Sequence, residues 1–462
     1  MKNYLLIDFG STNTKLTAVD VEKAEIIGTS KHFTTVSEDI RIGYNNALKE
    51  LFEKYGEIKF EKIVACSSAA GGLKMAAIGL VEELTVEAAK RACFGAGGKV
   101  DLVFSHYITK AEVNKIIEKK IDIVLLAGGI DGGNSDCVIY NAKMLGQGNV
   151  KVPIVYAGNK SCQDEIKEIF DEYKLDGYIC ENIMPQLNVL NIESAKDAIR
   201  KIFLNNIIVA KGIKKVEDEI DGVVLPTPYA VLKASELLSK GYLHEEGLGD
   251  IVLVDIGGAT TDVYSMGSGS PKRSDVILKG LAEPYAKRTV EGDLGMRYSA
   301  EGVVKALSEE QIKLYQEKGI DLVSEAKYRF EHVDMIPHNI HDEEVDREFG
   351  EICTDVAISR HDGKMEAIYT PMGMLYYQTG KDLTEVRYII GTGGVIINDH
   401  EPRKILEKLC YDVHKPLELR PKNPEYMLDV NYILSAMGLL SMYYPEVALK
   451  IMKKNMKLIW GL

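Results

Sequence analysis

The sequence predicts an α/β protein whose core is written twice, with a separate α/β segment set between the two copies. Three observations predict it. A strand–Asp–x–Gly–turn–strand pattern opens the chain at Tyr4–Asp20. The same pattern returns at Ile251–Met266, with Asp8 matched by Asp255, Gly10 by Gly257 and Thr14 by Thr261 at a constant offset of 247 residues. Between them, short apolar runs alternate with helical patterns, the signature of βα units. A duplicated motif at nearly half-chain spacing marks two related domains.

The elements follow in order. Tyr4–Phe9 has little alternation and reads as a strand buried on both faces. A Gly-Ser-Thr-Asn turn leads into a second strand, Thr14–Asp20, closing a hairpin. A helix is expected over Ile40–Tyr55 and a strand over Lys62–Cys66, which enters the small-residue turn Ser67–Gly72. Ile121–Ala127 and Val152–Ala157 read as parallel strands that end in glycine loops, AGGIDGGNSD and AGNKS. A helix, Asp164–Tyr173, and a strand, Tyr178–Cys180, follow. Neither glycine loop fits a nucleotide fingerprint, having no GxGxxG and no GKS or GKT ending, so both are read as turns at strand ends. Past the second hairpin a helix is expected at Met296–Leu307. Val386–Ile390 is a strand running into GTGG, Gly391–Gly394, with a helix at Glu401–Cys410. Tyr432–Tyr444 carries the small residues Ser435, Ala436 and Gly438 and reads as a tightly packed helix. The expected domains are residues 1–100, 101–245 and 246–462.

Composition narrows the function classes. The 462 residues are 46% hydrophobic and 27% charged, ordinary for a globular protein. The net charge of −13 disfavours nucleic acid as a partner, because an acidic surface repels phosphate backbones. The seven cysteines are scattered without a CxxC pair and read as buried thiols rather than a disulfide or zinc framework. The nine histidines form no HxxxH pair, which argues against a histidine-built metal site. Asp8 interrupts the first apolar run before a signal-peptide core can form, and no run approaches the ~20 residues of a membrane span. The expected location is cytoplasmic.

The chemistry sits at the two turns. Successive backbone N–H groups at a tight turn bind anions, and glycine lets the backbone approach without a Cβ. Gly10-Ser11-Thr12-Asn13-Thr14 and Gly257-Gly258-Ala259-Thr260-Thr261 each supply such a turn, with hydroxyls beside it. Asp8 and Asp255 each stand two residues before the first glycine. A carboxylate there can hold Mg2+, commonly through water. Gly391-Thr392-Gly393-Gly394 offers bare backbone against which an adenine and ribose can lie. Each element alone is weak; the three in this order together specify a triphosphate site for ATP. Lys15 reads either as a phosphate ligand or as an exposed strand residue. Glu291, before the expected helix, reads either as a group positioning metal or water or as a carboxylate favoured at a helix N-terminus. Asp262 reads as a tie within the second hairpin.

These motifs resemble those of the actin, Hsp70 and sugar-kinase superfamily. In that comparison Asp8–Lys15 is the first phosphate hairpin and Asp255–Asp262 the second. Val64–Gly72 is the first connecting segment, Ile390–Gly394 the adenosine loop, and Ala436–Gly438 lies in the final connecting helix. The resemblance implies an actin-like ATPase with two RNase H-like domains and an inserted α/β domain. DFGSTNTK, LAGGIDGGNSD, DIGGATTDV and RTVEGDLGMR together resemble the glutamate mutase accessory family, often called MutL and unrelated to the mismatch-repair protein of that name. This resemblance implies an ATP-driven reactivating factor for an adenosylcobalamin-dependent mutase. ATP and Mg2+ are its implied cofactors, Asp8, Asp255 and Glu291 its implied catalytic carboxylates, and the insertion its implied partner-binding part. Rival readings on the same fold are a small-molecule kinase, an actin-like filament protein and an iron–sulfur activator. Cys66, Cys137 and Cys353 do not reproduce the paired cluster cysteines of the last.

Overall fold

The computed structural model describes residues 2–10, 13–34, 39–68, 73–210, 220–371 and 373–459. The first elements are β1 (Asn3–Phe9), β2 (Asn13–Asp20), β3 (Glu25–Phe33), α1 (Ile40–Tyr55) and β4 (Lys62–Ser67). Next come β5 (Lys74–Gly79), α2 (Glu87–Gly95), β6 (Lys99–Ser105), α3 (Lys110–Glu118), β7 (Ile123–Leu126) and α4 (Asp136–Gln147). They are followed by β8 (Ile154–Tyr156), α5 (Gln163–Tyr173), β9 (Gly177–Ile179), α6 (Glu193–Ala210), β10 (Val223–Pro226) and α7 (Thr227–Lys240). The small pair β11 (Gly241–Tyr242) and β12 (Glu245–Glu246) precedes β13 (Ile251–Ile256), β14 (Thr261–Met266), β15 (Val276–Leu278) and β16 (Ala286–Glu291). Then come α8 (Ala300–Lys305), α9 (Glu309–Glu317), α10 (Leu322–Glu331), α11 (Ile340–His361), β17 (Lys364–Thr370) and β18 (Gly373–Thr379). The chain ends with β19 (Tyr388–Thr392), α12 (Gly394–Asn398), α13 (Pro402–Glu407), β20 (Glu425–Leu428), α14 (Leu434–Leu440), α15 (Pro445–Asn455) and β21 (Lys457–Ile459). They fall into two compact units: 1–34, 43–66 and 230–462, and 35–42 with 67–229.

The first unit holds the duplicated core. In one sheet the strands run β4-β1-β2-β3; in the other they run β19-β13-β14-β16, continued beyond β19 by β20 and β21. The two sheets therefore repeat one order: a central strand, its antiparallel hairpin partner, a third strand beyond, and a fourth on the other side. In the second sheet that fourth strand, β19, is parallel to β13. All seven residues of β1 are buried, which is why its sequence is a nearly continuous apolar run. Helix α11 covers the second sheet, setting Phe349, Cys353 and Ala357 in one core with Val252, Val254 and Ile389. A third sheet, β15-β18-β17, completes the unit.

The second unit is a parallel sheet in the order β6-β5-β7-β8-β9, with all four of its strand pairings parallel. Numbered from its own first strand the order is 2-1-3-4-5, a doubly wound arrangement. Ala76, Ile78, Val124, Leu126, Ile154, Tyr156 and Phe170 build its core. The alternating strands and helices expected for this segment are present, and the sheet begins before residue 100, with β5 in its interior. The two glycine loops lie after β7 and β8. Asn159 ties them together: its side chain accepts the Gly132 N–H at 3.0 Å and donates to the Gly133 carbonyl at 3.1 Å.

Three expected helices are shorter than the pattern predicts, Glu401–Cys410 among them as α13. Met296–Leu307 becomes α8, Ala300–Lys305. The reason is local: the N–H groups of Met296 and Arg297 donate to the carbonyls of Gly257 and Gly258 at 3.0 and 2.8 Å, not into a helix. The Tyr432–Tyr444 helix likewise shrinks to α14, where Tyr432 takes a left-handed φ of 52° that a helix cannot contain. Among the described residues no helix is long and apolar enough to cross a membrane. All seven cysteines are free, six of them buried.

The end of α11 carries a buried polar cluster. The His361 ring lies between Ser265 Oγ at 2.7 Å and Thr289 Oγ1 at 2.8 Å. Lys381 Nζ donates to the carbonyls of Ser265, Pro284 and Tyr285. Asp362 is the exception: neither carboxylate oxygen has a hydrogen-bond partner among the described residues. Arg420 Nε is 3.8 Å away and is committed to Glu418 and Asp355. Burial first, then the Glu418 charge, push the Asp362 carboxyl up to about 7. A raised carboxyl means the fold penalises the ionised form, so this stability is full below about pH 4 and drains as pH rises through about 7. Asp362→Asn cannot ionise. Its melting temperature relative to the native chain is expected to be about 2–4 °C more favourable at pH 8 than at pH 5. A difference that does not change with pH would contradict the assignment.

Candidate functional site

The two hairpins repeat each other residue for residue. In β1–β2, Asp8 pairs with Lys15 and Phe9 with Thr14; in β13–β14, Asp255 pairs with Asp262 and Ile256 with Thr261. Each turn is closed by one bond from the first glycine: Gly10 N–H to the Asn13 carbonyl at 3.1 Å, and Gly257 N–H to the Thr260 carbonyl at 2.9 Å. A Cβ on Gly10 would stand 2.6 Å from the Asn13 oxygen, so the close turn requires glycine there. Ser11 and Thr12, at the tip of the first turn, lie outside the described residues.

The second turn is held from behind by residues 292–299. The Gly257 and Gly258 carbonyls take the N–H groups of Met296 and Arg297, and the Ala259 carbonyl takes the Ser299 hydroxyl at 2.7 Å. Thr261 donates its hydroxyl to the Leu294 carbonyl at 2.9 Å. Gly295 is pressed against the turn, where a Cβ would fall 2.5 Å from the Ala259 carbonyl carbon. With three successive carbonyls turned to this strap, the N–H groups of Gly258, Ala259 and Thr260 have no acceptor among the described residues. Consecutive unpaired N–H groups at a turn form an anion-binding concavity.

Arg297 anchors the strap. It bonds the Met335 carbonyl at 3.0 Å and Asp346 Oδ2 at 2.8 Å. Asp346 on α11 is shared with the fully buried Arg329 of α10, at 2.8 Å. In the hairpin itself, Asp262 is taken by Arg288 Nε at 2.8 Å and by the Thr260 hydroxyl at 3.1 Å. It ties the hairpin, as its position suggests.

Four carboxylates gather at the strand mouths. Asp255 is half-buried and has no hydrogen-bond or ion-pair partner among the described residues. Burial first, then the charges of Asp262, Asp429 and Asp8, raise its carboxyl to about 7, with Lys15 opposing. Asp8 is buried and accepts a hydrogen bond from Ser435 Oγ of α14 at 3.1 Å. Asp429 accepts the N–H groups of Ile433 and Leu434 at 3.0 and 3.3 Å, capping the start of α14. Burial, the largest cause, raises its carboxyl. Thr14 directs its hydroxyl to Thr34 at 3.0 Å.

The GTGG run closes the site on the other side. It ends β19 and opens α12. Gly393 has φ of 98° and lies on Ile256, where a Cβ would come within 2.4 Å of the carbonyl oxygen. Gly394 is exposed, and the nearest atoms to a Cβ there are the Tyr432 hydroxyl at 3.8 Å and Asn398 Nδ2 at 4.0 Å. Thr392 Oγ1 reaches Asp429 at 3.5 Å. The bare backbone anticipated at Gly391–Gly394 thus narrows to Gly394.

Glu291 is placed differently from expectation. It ends β16 opposite Thr261, nine residues before α8, and so lies at no helix N-terminus. Its carboxylate is held by Arg360 at 2.6 Å, which also bonds Asp293 at 2.9 Å. Burial raises it and Arg360 opposes the shift. Asp429 and Tyr432 escape a reading of the sequence as motifs, and the RTVEGDLGMR run, though noted, does not declare that it straps the second turn. Asp429 leaves a faint signal, an aspartate just ahead of an apolar helix, as in an N-cap.

A duplicated RNase H-like core, with one Asp-x-Gly hairpin per half, defines the actin-like ATPase fold. The chain belongs to the MutL protein family, which matches residues 4–456. The "Protein MutL" of Clostridium tetanomorphum is 50% identical over 457 residues, covering 98% of this chain and 99% of that one. Among solved structures, nucleotide-free acetone carboxylase is 12% identical with a TM-score of 0.38, covering 94% of this chain and 69% of that one. A glycerol dehydratase reactivase is 10% identical with a TM-score of 0.37, covering 95% and 99%. A nucleotide-free diol dehydratase-reactivating factor is 8% identical with a TM-score of 0.36, covering 96% and 100%.

Because Arg297 joins the strap to α11 through the buried Asp346, Arg297→Ala is expected to lower unfolding stability by about 2–4 kcal/mol. The urea midpoint measures it, and a loss under about 0.5 kcal/mol, the scatter of ordinary surface changes, would contradict the anchoring role.

Proposed function

We propose that this chain is an ATP-dependent reactivating factor for an adenosylcobalamin-dependent mutase, glutamate mutase or a relative. The observation that carries the nucleotide part is the open row of N–H groups at Gly258, Ala259 and Thr260 beside the unpartnered Asp255. Family membership and the motif resemblance support the mutase partner. In this reading the unit of residues 1–34, 43–66 and 230–462 holds both halves of the ATPase, and the inserted unit within residues 67–229 carries the partner contact in the cytoplasm.

The residues fit a divalent cation with a triphosphate. Asp8, Asp255 and Asp429 gather three carboxylates against the Lys15 charge, so negative charge is in excess around the metal position. Asp8 and Asp255 would hold Mg2+, which would supply charge neutralisation on a bound triphosphate. The amides of Gly258–Thr260 and of the first turn, Gly10–Thr14, bind phosphate oxygens. Gly394 takes the nucleoside against exposed backbone, with Gly391, Thr392 and Gly393 shaping the approach. One of Asp8, Asp255 or Glu291 orients the attacking water. Glu291 is the weakest of these, since Arg360 already holds its carboxylate. Hydrolysis changes the closure of the two halves, and the partner mutase is loosened so that damaged cobalamin leaves.

Two measurements test this. Asp8→Ala is expected to lower Mg2+-dependent ATP hydrolysis by about 100-fold or more, the scale of losing a group that acts on transition-state charge; unchanged turnover refutes the assignment. A glutamate mutase inactivated by its own cobalamin is expected to regain activity with this protein and ATP, but not with a non-hydrolysable analogue. Recovery that ignores the nucleotide, or none with either, removes the reactivating role.

A further inference from the structure

Tyr432 reaches both the first hairpin and the adenosine loop. Its hydroxyl faces the exposed backbone of Gly394, whose carbonyl accepts the Asn398 side-chain amide at 2.7 Å. Its ring carries the Lys15 ammonium 4.4 Å from the centroid and the Lys31 ammonium 5.8 Å away. Lys15 and Lys31 face each other across the β2–β3 ladder. Neither forms an ion pair among the described residues. Like charges directly opposite on paired strands are unfavourable, and an aromatic face is one of the few protein groups that attracts both without neutralising either.

The backbone shows the same investment. Tyr432 stands at a φ of 52°, where a bulky residue is an outlier and glycine or asparagine is the ordinary choice. The conformation is enforced by Asp429, whose carbonyl takes the Tyr432 N–H at 3.1 Å and whose carboxylate takes the next two N–H groups. Strain that is over-determined in this way concentrates at functional sites. Packing alone does not account for it, because the side chain is only half-buried and turns to two cations and an open glycine rather than into the core.

We propose that Tyr432 is the positioning residue of the nucleotide site, presenting Lys15 and Lys31 as a paired cationic clamp for the polyphosphate while its hydroxyl edge bounds the nucleoside at Gly394. The inference rests on the ATP-binding reading above and extends it to two residues, Tyr432 and Lys31, outside the hairpin and glycine motifs. Among the described residues neither ammonium is in contact with a carboxylate, so an incoming phosphate does not have to break a close ion pair to reach them.

The test is equilibrium binding of Mg-ATP to the full chain, with melting temperature recorded for each variant. Tyr432→Asn suits the left-handed backbone and removes the ring. It is expected to keep the melting temperature or raise it, and to weaken binding about tenfold, the scale of a partly desolvated cation–π contact. Tyr432→Phe restores the ring and is expected to recover most of the loss. In a Lys15→Met, Lys31→Met background, Tyr432→Asn is expected to weaken binding by less than about twofold, since the clamp is already gone. Unchanged binding in Tyr432→Asn, or a loss that tracks a fall in melting temperature, or a full tenfold loss persisting without the lysines, would each overturn the inference. Failure of the native chain to bind Mg-ATP would overturn the ATP reading itself and this inference with it, whereas native binding with an unaffected Tyr432→Asn variant overturns the clamp alone.

Discussion

The carbonyls of Gly257, Gly258 and Ala259 are all turned to one side and all satisfied by the strap at residues 296–299. Three consecutive carbonyls pressed against another segment, away from water, need donors from it. Once the strap supplies them, the N–H groups of the same peptides must face the other way. The anion-binding character of the second turn is thus a consequence of where its carbonyls go. The strap is in turn fixed by Arg297, and Arg297 by Asp346, which also pairs with Arg329. A buried charge chain of this kind adds little net stability, because desolvation offsets attraction. What it adds is a single geometry, linking the turn to α10 and α11.

The first hairpin meets the same requirement by a different route. Its aspartate is held by a side chain, Ser435, from the other end of the sequence. The small residues of α14 make this possible: at Gly438 a Cβ would lie 1.9 Å from the Ala230 carbonyl oxygen, so only glycine lets the helix sit against α7. Close packing of α14 brings Ser435 to Asp8 and leaves Asp429 and Tyr432, just upstream, at the strand mouths. Helix, hairpin and adenosine loop therefore depend on one another through a few short contacts.

Much of this was legible in the sequence because the hairpins obey local rules. A strand buried on both faces is a run of apolar residues, and a tight turn needs its glycine, so Ile251–Ile256 and Thr261–Met266 match the expected strands end to end. The duplication could be read because both copies solve the same backbone problem. What escaped depends on distant partners. Nothing local in GMRYS says that its N–H groups will leave a helix to cap another turn. β5, with Ala76, Ala77 and Gly79, carries no alternation and declares itself only between β6 and β7. Tyr432 opens the segment read as a helix, with Asp429 just ahead of it, and only the left-handed turn ahead of α14 sets both apart from that helix. Glu291 was placed by analogy near a helix that begins later, because the intervening residues became the strap.

The claim on which the account turns is that two carboxylates, Asp8 and Asp255, 247 residues apart in sequence, serve one Mg-nucleotide. Calorimetric titration of ATP into the native chain, with and without Mg2+, and into Asp8→Asn, Asp255→Asn and the double variant, tests it most directly. The account predicts one nucleotide per chain, a Mg2+-dependent gain in affinity that either substitution removes, and a double variant little worse than the single ones because both residues act on one ion. Two independent binding events, or a full Mg2+-dependent gain in either single variant, would contradict it.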